Sequence, residues 1–219
     1  MAKVIIFGTE LVAELAHYYL THDSEHEVVA FSVHQAYIKE NTFCGLPIIP
    51  FENIEEQFST EEFWFFVPLS ERKMNMVRAE MYSQVKEKGY KCISYISSKA
   101  TVLTTDIGEN CFILEDNTIQ PFVKIGNNVV LWSGNHIGHH STIKDHVYFT
   151  SHVVLSGRCV VESYCFFGVN ATIRDGVHLA EGTLIAMGTN FAGKKTDEWG
   201  IYKGNPAEKS KVSSKDIRL

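Results

Sequence analysis

The sequence predicts a two-part fold, in which a small α/β module is followed by a three-sided parallel β-helix. Two six-residue spacings in the second half of the chain and an alternation of strand and helix patterns in the first half support this prediction. The chain has 219 residues, of which 45% are hydrophobic and 21% are charged. This composition is ordinary for a folded globular protein and excludes a disordered chain.

A large apolar residue recurs at every sixth position in the second half of the chain. The positions are Ile107, Ile113, Ile119, Ile125, Leu131, Ile137, Ile143, Phe149, Leu155, Val161, Phe167, Ile173, Leu179 and Ile185. A fixed short period of this kind is the signature of a repeat architecture. The alternative, an antiparallel β-sandwich, would have irregular turn spacings of roughly 8–12 residues, so the period favours the β-helix.

A second series of residues stands four positions after each large one, and so two positions before the next, and none of its members is charged or aromatic. They are Cys111, Asn117, Val123, Val129, Asn135, Ser141, Val147, Val153, Cys159, Cys165, Ala171, Val177, Thr183 and Thr189. Residues two apart in a strand share a face, so both series point inward. Three such units close one coil of 18 residues, and stacked coils bury a continuous apolar column.

Four glycines directly follow a large inward residue: Gly108, Gly126, Gly138 and Gly168. We expect turns with unusual backbone angles at these positions, because glycine adopts such angles at little cost. The pattern does not determine the handedness of the coil. The ordinary rule for parallel crossovers favours a right-handed one.

The first part of the chain reads as a βαβ unit. Residues 4–7 form an apolar run typical of a buried parallel strand, Gly8 begins a turn, and residues 11–20 carry apolar side chains at helical spacing. A second apolar run covers residues 28–31. A nucleotide phosphate can bind at the start of a helix that follows such a strand and glycine, although Glu10 stands where a second glycine would ease a close approach.

A further strand is predicted over residues 63–67, and Ser70 is a candidate N-cap for a helix that runs to about Lys88. The β-helix pattern begins soon afterwards. We therefore divide the chain into an α/β, Rossmann-like module over residues 1–97, a β-helix over residues 98–190 and a C-terminal segment over residues 191–219.

Charge and composition exclude several partners. Twenty basic and twenty-six acidic residues give a net charge of −6, so there is no basic excess for binding nucleic acid. No apolar run approaches the roughly 20 residues that span a bilayer, and the chain start lacks the layout of a secretory signal. The five cysteines lack a CxxC pair, so neither disulfides nor a zinc knuckle are indicated. We expect a cytoplasmic protein that binds no membrane.

The repeats in residues 125–129 and 137–141, with the sequences IGNNV and IGHHS, resemble those of the hexapeptide-repeat acyltransferases. Residues 200–207 are similar to the Gly-x-Pro-Ala segment that closes many of these proteins near coenzyme A. The resemblance implies a left-handed prism, in contrast to the crossover rule, and assembly as a homotrimer.

The combination of a small α/β module with such a prism resembles the acyltransferases of nucleotide-linked amino sugars, in the group of the sialic-acid O-acetyltransferases. In that family the N-terminal module holds the nucleotide of the sugar substrate. The resemblance places this contact at Gly8, Thr9 and Glu10.

Three histidines crowd one coil: His136, His139 and His140. The pattern Ile-x-His-x-Ser aligns His139 with the catalytic histidine of the family, and a neutral imidazole is suited to accept a proton near pH 7. The family has Asp or Glu at the next position, where this chain has His140. Either His140 bonds in another way, or a carboxylate such as Glu115, Asp116 or Asp145 orients the base instead.

The same coil supplies candidate contacts to the acceptor substrate. Trp132 replaces a family asparagine and is suited to stack on a sugar or a base, and Asn135 and His136 follow close behind it in the sequence.

Coenzyme A is expected along the outside of the later coils. Tyr148 stands where the family often has a histidine near the thioester, and Gly157 follows His139 by one coil. Gly168, Ala186 and Gly188 are further contacts, and Lys194 and Lys195 are candidates for the phosphates of coenzyme A. Cys111, Cys159 and Cys165 are inward positions and are interpreted as packing residues.

A related prism family binds catalytic zinc through three histidines, one of them over twenty residues upstream of the other two. Before His136 the nearest histidine in this chain is His34, so we expect no metal. The sequence is thus interpreted as an acetyl-CoA-dependent N-acetyltransferase that acts on a nucleotide-linked amino sugar of the 4-amino-4,6-dideoxy type, for bacterial surface glycan synthesis. The alternatives are O-acetylation of a sugar or sialic acid, and a catalytically silent sugar-binding β-helix.

Overall fold

The computed structural model describes residues 1–217. The N-terminal module contains two α-helices and a five-stranded sheet. Its elements are β1 (Lys3–Phe7), α1 (Leu11–His22), β2 (Glu27–Val33), β3 (Thr42–Phe43), β4 (Leu46–Pro50), β5 (Phe63–Phe66) and α2 (Met76–Glu87). The sheet order is β3-β4-β2-β1-β5, and only β3 runs antiparallel to its neighbour. This open, mostly parallel sheet confirms the predicted α/β module.

Helix α2 begins six residues after the predicted N-cap, at Met76 rather than next to Ser70. Lys73, Met74 and Asn75 have positive φ angles of 52°, 53° and 66°, which a right-handed helix does not contain. Asn75 is fully buried, and its Nδ2 donates to the carbonyl oxygens of Tyr164 and Cys165 in the β-helix. These contacts with a distant part of the chain explain why local sequence signals misplaced the start of α2.

Residues 95–209 form three parallel sheets that together make a triangular prism, and β23 alone is antiparallel to its neighbour. Sheet 1 contains β6 (Tyr95–Ile96), β8 (Phe112–Ile113), β11 (Val130–Leu131), β14 (Tyr148–Phe149), β17 (Phe166–Phe167), β20 (Leu184–Ile185), β22 (Ile201–Lys203) and β23 (Glu208–Lys209). Sheet 2 contains β7 (Thr101–Val102), β9 (Thr118–Ile119), β12 (His136–Ile137), β15 (Val154–Leu155), β18 (Thr172–Ile173) and β21 (Asn190–Phe191). Sheet 3 contains β10 (Lys124–Ile125), β13 (Thr142–Ile143), β16 (Val160–Val161) and β19 (His178–Leu179). The predicted β-helix is confirmed.

Strand pairs of the central coils are offset by eighteen residues, as Ile125 and Ile143 of adjacent coils show in sheet 3. The offset is seventeen residues in the pairs β6–β8, β7–β9 and β20–β22 at the two ends of the prism. The large and small residues of the two series fill the interior, where nearly all have no exposed surface. Stacking is direct: the rings of Phe149 and Phe167 lie 4.1 Å apart and only 10° from parallel. Both six-residue series therefore form the core that the sequence predicted.

The prism has three corners, each of which we name after a feature that it carries. The Trp132 corner, between sheets 1 and 2, consists of residues 114–116, 132–134, 150–152, 168–170 and 186–188. The His139 corner, between sheets 2 and 3, consists of residues 120–122, 138–140, 156–158 and 174–176. The α2 corner, between sheets 3 and 1, consists of residues 108–110, 126–128, 144–146, 162–164 and 180–182.

Each corner turn contains one residue with a left-handed backbone. These residues are Asn110, Asp116, Phe122, Asn128, Gly134, His140, His146, His152, Arg158, Tyr164, Asn170, Gly176, Gly182 and Gly188. The prediction of positive φ at Gly108, Gly126, Gly138 and Gly168 is therefore wrong. These four glycines are needed for space instead, because a β-carbon at any of them would lie 2.3–2.5 Å from an atom of the next coil.

The N-terminal module packs on sheet 1. Outward-facing apolar residues of this sheet, including Phe112, Val130 and Tyr148, join Ala13 and Ala16 of α1 in one buried cluster. On the other side of the module, the guanidinium of Arg78 in α2 is fully buried against the α2 corner. The module thus contacts the prism through an apolar cluster on sheet 1 and through the buried Arg78 at the α2 corner.

Candidate active site at the His139 corner

His139 follows β12 and lies exposed at the corner between sheets 2 and 3. Its backbone N–H donates to Oε1 of Gln120, one coil below, at 2.8 Å. Its ring Nδ1 lies 3.1 Å from Nδ1 of His140. The backbone and one ring nitrogen are therefore held, while the imidazole remains open to solvent.

His140 occupies the left-handed position of this turn, with φ of 56°. Histidine is among the residue types that are enriched in this region of backbone space. Its ring also packs on Phe122, with 4.6 Å between centroids. The two imidazoles form a pair in which His140 can accept a hydrogen bond from Nδ1–H of His139, which leaves Nε2 of His139 free to take a proton.

The imidazole of His139 lies over Gly157, one coil above. A β-carbon at position 157 would stand 2.8 Å from both Cε1 and Nε2 of that ring, and 3.2 Å from Oδ1 of Asp175. The space at Gly157, expected to admit coenzyme A, is thus filled by the histidine itself. Asp175 in turn accepts hydrogen bonds from Nε and Nη2 of Arg158, the former at 3.3 Å.

The three carboxylates that the sequence suggested as partners of His139 lie at other corners. Glu115 accepts from the hydroxyls of Tyr19 (2.7 Å) and Ser133 (2.6 Å) at the Trp132 corner, and Asp116 is its neighbour. Asp145 accepts from a backbone N–H at the α2 corner. Burial raises the pKa of Glu115, but the two hydroxyl bonds outweigh it, so its pKa is lowered overall.

Asp175 is the carboxylate that the structure brings to His139, and the sequence interpretation missed it. A signal was present, because 36 residues separate the two, which is two full coils at the same corner position. The pKa of Asp175 lies below its usual value, chiefly because of the bond from Arg158, with a further contribution from His139.

Trp132, Tyr148 and Asn135 lie away from His139 within the same chain. Nε1 of Trp132 donates to the hydroxyl of Tyr148 at 2.5 Å. Tyr148 is only 3% exposed, beneath the N-terminal module, and burial raises its pKa to about 12. Asn135 points into the prism, donates to the carbonyl of Trp132 and accepts from the N–H of Val153, so its side chain shapes the turn rather than facing solvent.

His136 projects outward from sheet 2, where it is half-buried, next to Val154 of the coil above. It lies between the Trp132 corner and the His139 corner. His136 and His139 both lie on the outside of the prism. They are separated along the chain by the inward-facing Ile137 and by Gly138.

The residues proposed for coenzyme A divide between two corners. Gly157 lies at the His139 corner, and Lys194 and Lys195 continue that corner above residues 174–176, where Lys195 pairs with His178 of β19. Both lysines are exposed. A separate group, Gly168, Ala186 and Gly188, lies at the Trp132 corner instead.

The turn after β1 joins the ends of two parallel strands. Gly8 has φ of 120°, and its N–H donates to the carbonyl of Ser32 at the end of β2. Thr9 follows, and Glu10 is the N-cap of α1, with extended backbone angles. The start of α1 thus faces the carboxyl edge of the sheet, where ligands bind in open α/β folds.

Four of the five cysteines are buried, and burial raises the pKa of Cys165 to about 12 and that of Cys111 to about 11. Such thiols remain protonated and poorly reactive at neutral pH. Among residues 1–217, no group of three or more His, Cys, Asp or Glu side chains is arranged to hold a metal ion. No helix in this same part of the chain has the length and apolar character to cross a bilayer.

The repeat region matches a known family. Residues 104–139 and 122–157 match the family described as bacterial transferase hexapeptide (six repeats). Residues 104–157 of this chain are therefore similar in sequence to hexapeptide repeats. The chain matches UDP-3-O-acylglucosamine N-acyltransferases of Herminiimonas arsenicoxydans, at 30% identity over 122 residues, and of Janthinobacterium sp. (strain Marseille), at 28% identity over the same length. The aligned part is 51% of this chain but spans only about a third (33%) of the length of these curated relatives.

Solved structures match nearly the whole chain. The acetyltransferase domain of PglB from Neisseria gonorrhoeae, in complex with acetyl coenzyme A, has a TM-score of 0.81 at 18% identity and covers 95% of this chain and 98% of its own. WeeI from Acinetobacter baumannii has a TM-score of 0.79 at 18% identity, covering 96% and 100%.

A histidine-to-asparagine variant of perosamine N-acetyltransferase from Caulobacter crescentus, in complex with CoA and GDP-perosamine, has a TM-score of 0.81 at 16% identity. It covers 97% of this chain and 98% of its own. The shared fold is a Rossmann-like module followed by a left-handed β-helix. The left-handed winding implied by the family resemblance is thus confirmed, and the right-handed coil that the crossover rule favours is wrong.

Proposed function

We propose that this protein is an acetyl-CoA-dependent N-acetyltransferase that acts on a nucleotide-linked amino sugar of the 4-amino-4,6-dideoxy type, for bacterial surface glycan synthesis. The observation that carries the proposal is the exposed pair of His139 and His140 at one corner of a hexapeptide prism. Structures that share this fold across the whole chain bind acetyl coenzyme A, or CoA together with a GDP-linked amino sugar.

The geometry of the pair suits a general base. In the reaction the sugar amine attacks the thioester carbonyl carbon, so a C–N bond forms and the C–S bond breaks. Nε2 of His139 takes the proton that the nitrogen loses and returns it to the departing thiolate sulfur. His140 accepts from Nδ1–H of His139 and thereby keeps the lone pair on Nε2. No enzyme nucleophile is needed, because the thioester is already activated.

The basic residues of the His139 corner support the binding of coenzyme A. Lys194 and Lys195 lie about three coils above His139, which corresponds to about 14 Å at the strand spacing of a sheet. This separation is of the order of an extended pantetheine arm. With the thioester at His139, the phosphates of coenzyme A would therefore reach the two lysines. This assigns the C-terminal segment from residue 191 a role beside the cosubstrate.

The division of the predicted contacts between two corners supports a homotrimer. One molecule of coenzyme A at the His139 corner cannot also touch Gly168, Ala186 and Gly188 of the same chain, because sheet 2 separates the two corners. A second copy that presents its Trp132 corner would complete the groove. In a closed ring of three subunits, the His139 corner of each subunit would meet the Trp132 corner of the next, so that no corner of either kind is left unpaired.

The N-terminal module is proposed to bind the nucleotide. The first helix begins at Leu11, three residues after Gly8, so its free N–H groups and the positive end of its dipole face an anion at the sheet edge. Thr9 and Glu10 line the same turn, and the carboxylate of Glu10 argues for contact with a sugar or ribose hydroxyl rather than with the diphosphate. Trp132 and His136 are proposed to contact the acceptor sugar.

The direct test is release of free thiol from acetyl-CoA in the presence of a panel of UDP-, dTDP- and GDP-linked amino sugars. We expect turnover with at least one amino sugar and none with the matching sugar that carries a hydroxyl in place of the amine. His139→Asn should lower kcat by roughly 10²–10⁴-fold. His22→Asn, a change at an exposed histidine at the end of α1, should leave kcat unchanged.

Different results would point to the other candidate functions. Turnover only with hydroxyl acceptors would indicate an O-acetyltransferase. Binding of the sugar nucleotide without thiol release from any acetyl donor would indicate a silent sugar-binding protein. Near-normal turnover of His139→Asn would remove this residue from the role of the base.

A mixing experiment tests the shared site. His139→Asn disables one corner, and Ala186→Glu places a negative charge at the other, in the expected path of the anionic cosubstrate. When the two inactive variants are unfolded together and refolded, about a quarter of the interfaces combine two intact corners if subunits associate at random. Recovery of about a quarter of the wild-type activity supports a site between subunits, and no recovery contradicts it.

A further inference from the structure

We propose that Asp175 is a positioning residue, which holds the imidazole of His139 over Gly157 and stabilises the cationic form of that imidazole during catalysis, with Arg158 setting the strength of the effect. The inference rests on the proposed function. Asp175 lies two coils away from His139. It is assigned the role that the family resemblance implies for a carboxylate directly after the histidine, where this chain has His140.

The first support is the arrangement of the corner. His139, Gly157 and Asp175 occupy the same position in three successive coils. The point that a β-carbon of residue 157 would occupy is 2.8 Å from Nε2 of His139 and 3.2 Å from Oδ1 of Asp175. The two atoms are therefore no farther apart than the sum of these distances. Glycine at position 157 leaves no side chain between the ring and the carboxylate.

The second support is that the carboxylate is fixed. Nε of Arg158 donates to Oδ1 of Asp175 at 3.3 Å, and Nη2 of Arg158 donates to Oδ2. The backbone of Arg158 is also tied to the catalytic turn, since its N–H donates to the carbonyl oxygen of His139 at 2.8 Å. A fixed negative charge within about 4–6 Å of an imidazole favours the imidazolium form.

The third support is the lack of a charge at the other side of the ring. His140, which bonds to Nδ1 of His139, is neutral when it accepts a hydrogen bond, and Gln120 and Phe122 below it are uncharged. The charged residues in the neighbouring turns of this corner, residues 120–122, 156–158 and 174–176, are Arg158, Arg174 and Asp175. Asp175 is the only anion among these three, so the proton that His139 takes from the substrate is balanced by Asp175.

The prediction concerns the protonation of His139 directly. In Asp175→Asn the midpoint of the His139 titration, followed by NMR at the ring Cε1–H, should fall by about half a unit to one unit. In Arg158→Met it should rise, because the carboxylate is no longer partly neutralised. The signal is assigned by its loss in His139→Asn. Asp106→Asn, which removes an exposed carboxylate from the first coil, is the control for the change in net charge.

Kinetics supply the second readout. The acid limb of kcat/KM should move to lower pH in Asp175→Asn and to higher pH in Arg158→Met, and both shifts should shrink as added salt screens the charges. Asp175→Glu, which keeps the negative charge, should bring the acid limb most of the way back to its wild-type position. A purely structural role would move both variants in the same direction.

Unchanged His139 titration in both variants overturns the proposal. Since NMR needs no substrate, this result can be obtained even if no amino sugar is acetylated. Thiol release that fails for every acceptor would instead count against the proposed function and leave the titration result standing on its own.

Discussion

The imidazole of His139 fills the space that a side chain at position 157 would occupy, and Gly157 is the residue that makes this possible. The glycine has no positive φ, so its role is spatial and not conformational. The position of the proposed base is thus set by a residue one coil away that contributes no functional group.

Replacement of Gly157 by alanine should therefore displace the ring and not the backbone. The contacts at 2.8 Å are to atoms at the far end of the His139 side chain, which can rotate away. We expect kcat to fall by about 10–100-fold, since misplacement of a catalytic group by about 1 Å can have an effect of this size, with little change in Tm.

Gly45→Ala provides the contrasting case. Gly45 has φ of 78° and no atom near its missing β-carbon, so alanine there should lower Tm through backbone strain and leave kcat unaffected. Thiol release and thermal unfolding of both variants test the pair of expectations. Full activity of Gly157→Ala would contradict the proposed position of the ring during catalysis.

His140→Asp should introduce the carboxylate that the family resemblance implies next to the proposed base. Aspartate tolerates the left-handed backbone at this position, and its negative charge would favour the protonated form of the His139 imidazole. The acid limb of the pH profile of kcat/KM should move upward. His140→Asn, a neutral acceptor of the same size as aspartate, should leave the limb in place; an upward shift in both variants would show that charge is not the cause.

Arg78 joins α2 to the prism and should make a large contribution to stability. Its Nη1 donates to the backbone and side-chain oxygens of Asn128, and its guanidinium lies 5.6 Å from the ring centroid of Tyr148. Burial lowers its pKa to about 10, so it remains charged at neutral pH. Arg78→Ala leaves the buried backbone oxygen of Asn128 without a donor, while Oδ1 of Asn128 keeps the bond from Nδ2 of Asn110, and should reduce the free energy of unfolding by about 3 kcal/mol.

Urea unfolding followed by circular dichroism measures this loss. Arg72→Ala, at an exposed position just before α2, should change the midpoint little. An equal shift in both variants would mean that the buried contacts of Arg78 do not stabilise the interface.

His146 should make the stability of the fold depend on pH. Burial, assisted by the charge of Arg78, lowers its pKa from 6.5 to about 4. Between these values the unfolded chain binds a proton at His146 that the folded chain does not, so stability is lost as the pH falls from about 6.5 to about 4. Above pH 6.5 His146 is neutral in both the folded and the unfolded chain, so its contribution to stability is constant.

His146→Asn isolates this term. Asparagine tolerates the left-handed backbone, and its side-chain oxygen can replace Nδ1 of His146 as the partner of Nδ2 of Asn128, now at 2.9 Å. The difference in Tm between the wild type and the variant should shift in favour of the variant as the pH is lowered from 7 to 4.5. A difference that is independent of pH would contradict the lowered pKa.

The two inward series show how much of this fold is predictable. Their spacing requires only that each residue occupies an equivalent place in its coil, and Phe149 on Phe167 shows the equivalence directly. The exposure of His139 at a corner follows from the same counting. Asp175 was within reach of this reasoning, since positions 36 residues apart must lie at the same corner.

Other features depend on contacts that no short pattern contains. The start of α2 is determined by the anchoring of Asn75 on the prism, and the burial of Tyr148 is determined by where the N-terminal module packs. The glycines that follow the large residues were assigned to conformational turns, whereas the left-handed positions are held mostly by other residues, such as His140 and Asn128. Packing between coils, not local backbone preference, selects glycine at Gly138 and Gly168.

Because the coils stack at a constant rise, the number of coils between two residues at the same corner sets the distance between them. Each added or deleted set of eighteen residues between His139 and Lys194 would lengthen or shorten the distance between them by one strand spacing, about 4.8 Å, and leave both on the same edge. A single inserted residue would instead turn all later side chains out of line. This region should therefore tolerate insertions of whole coils but not insertions of other lengths. The number of coils would determine how long a cosubstrate arm can be bound between His139 and Lys194.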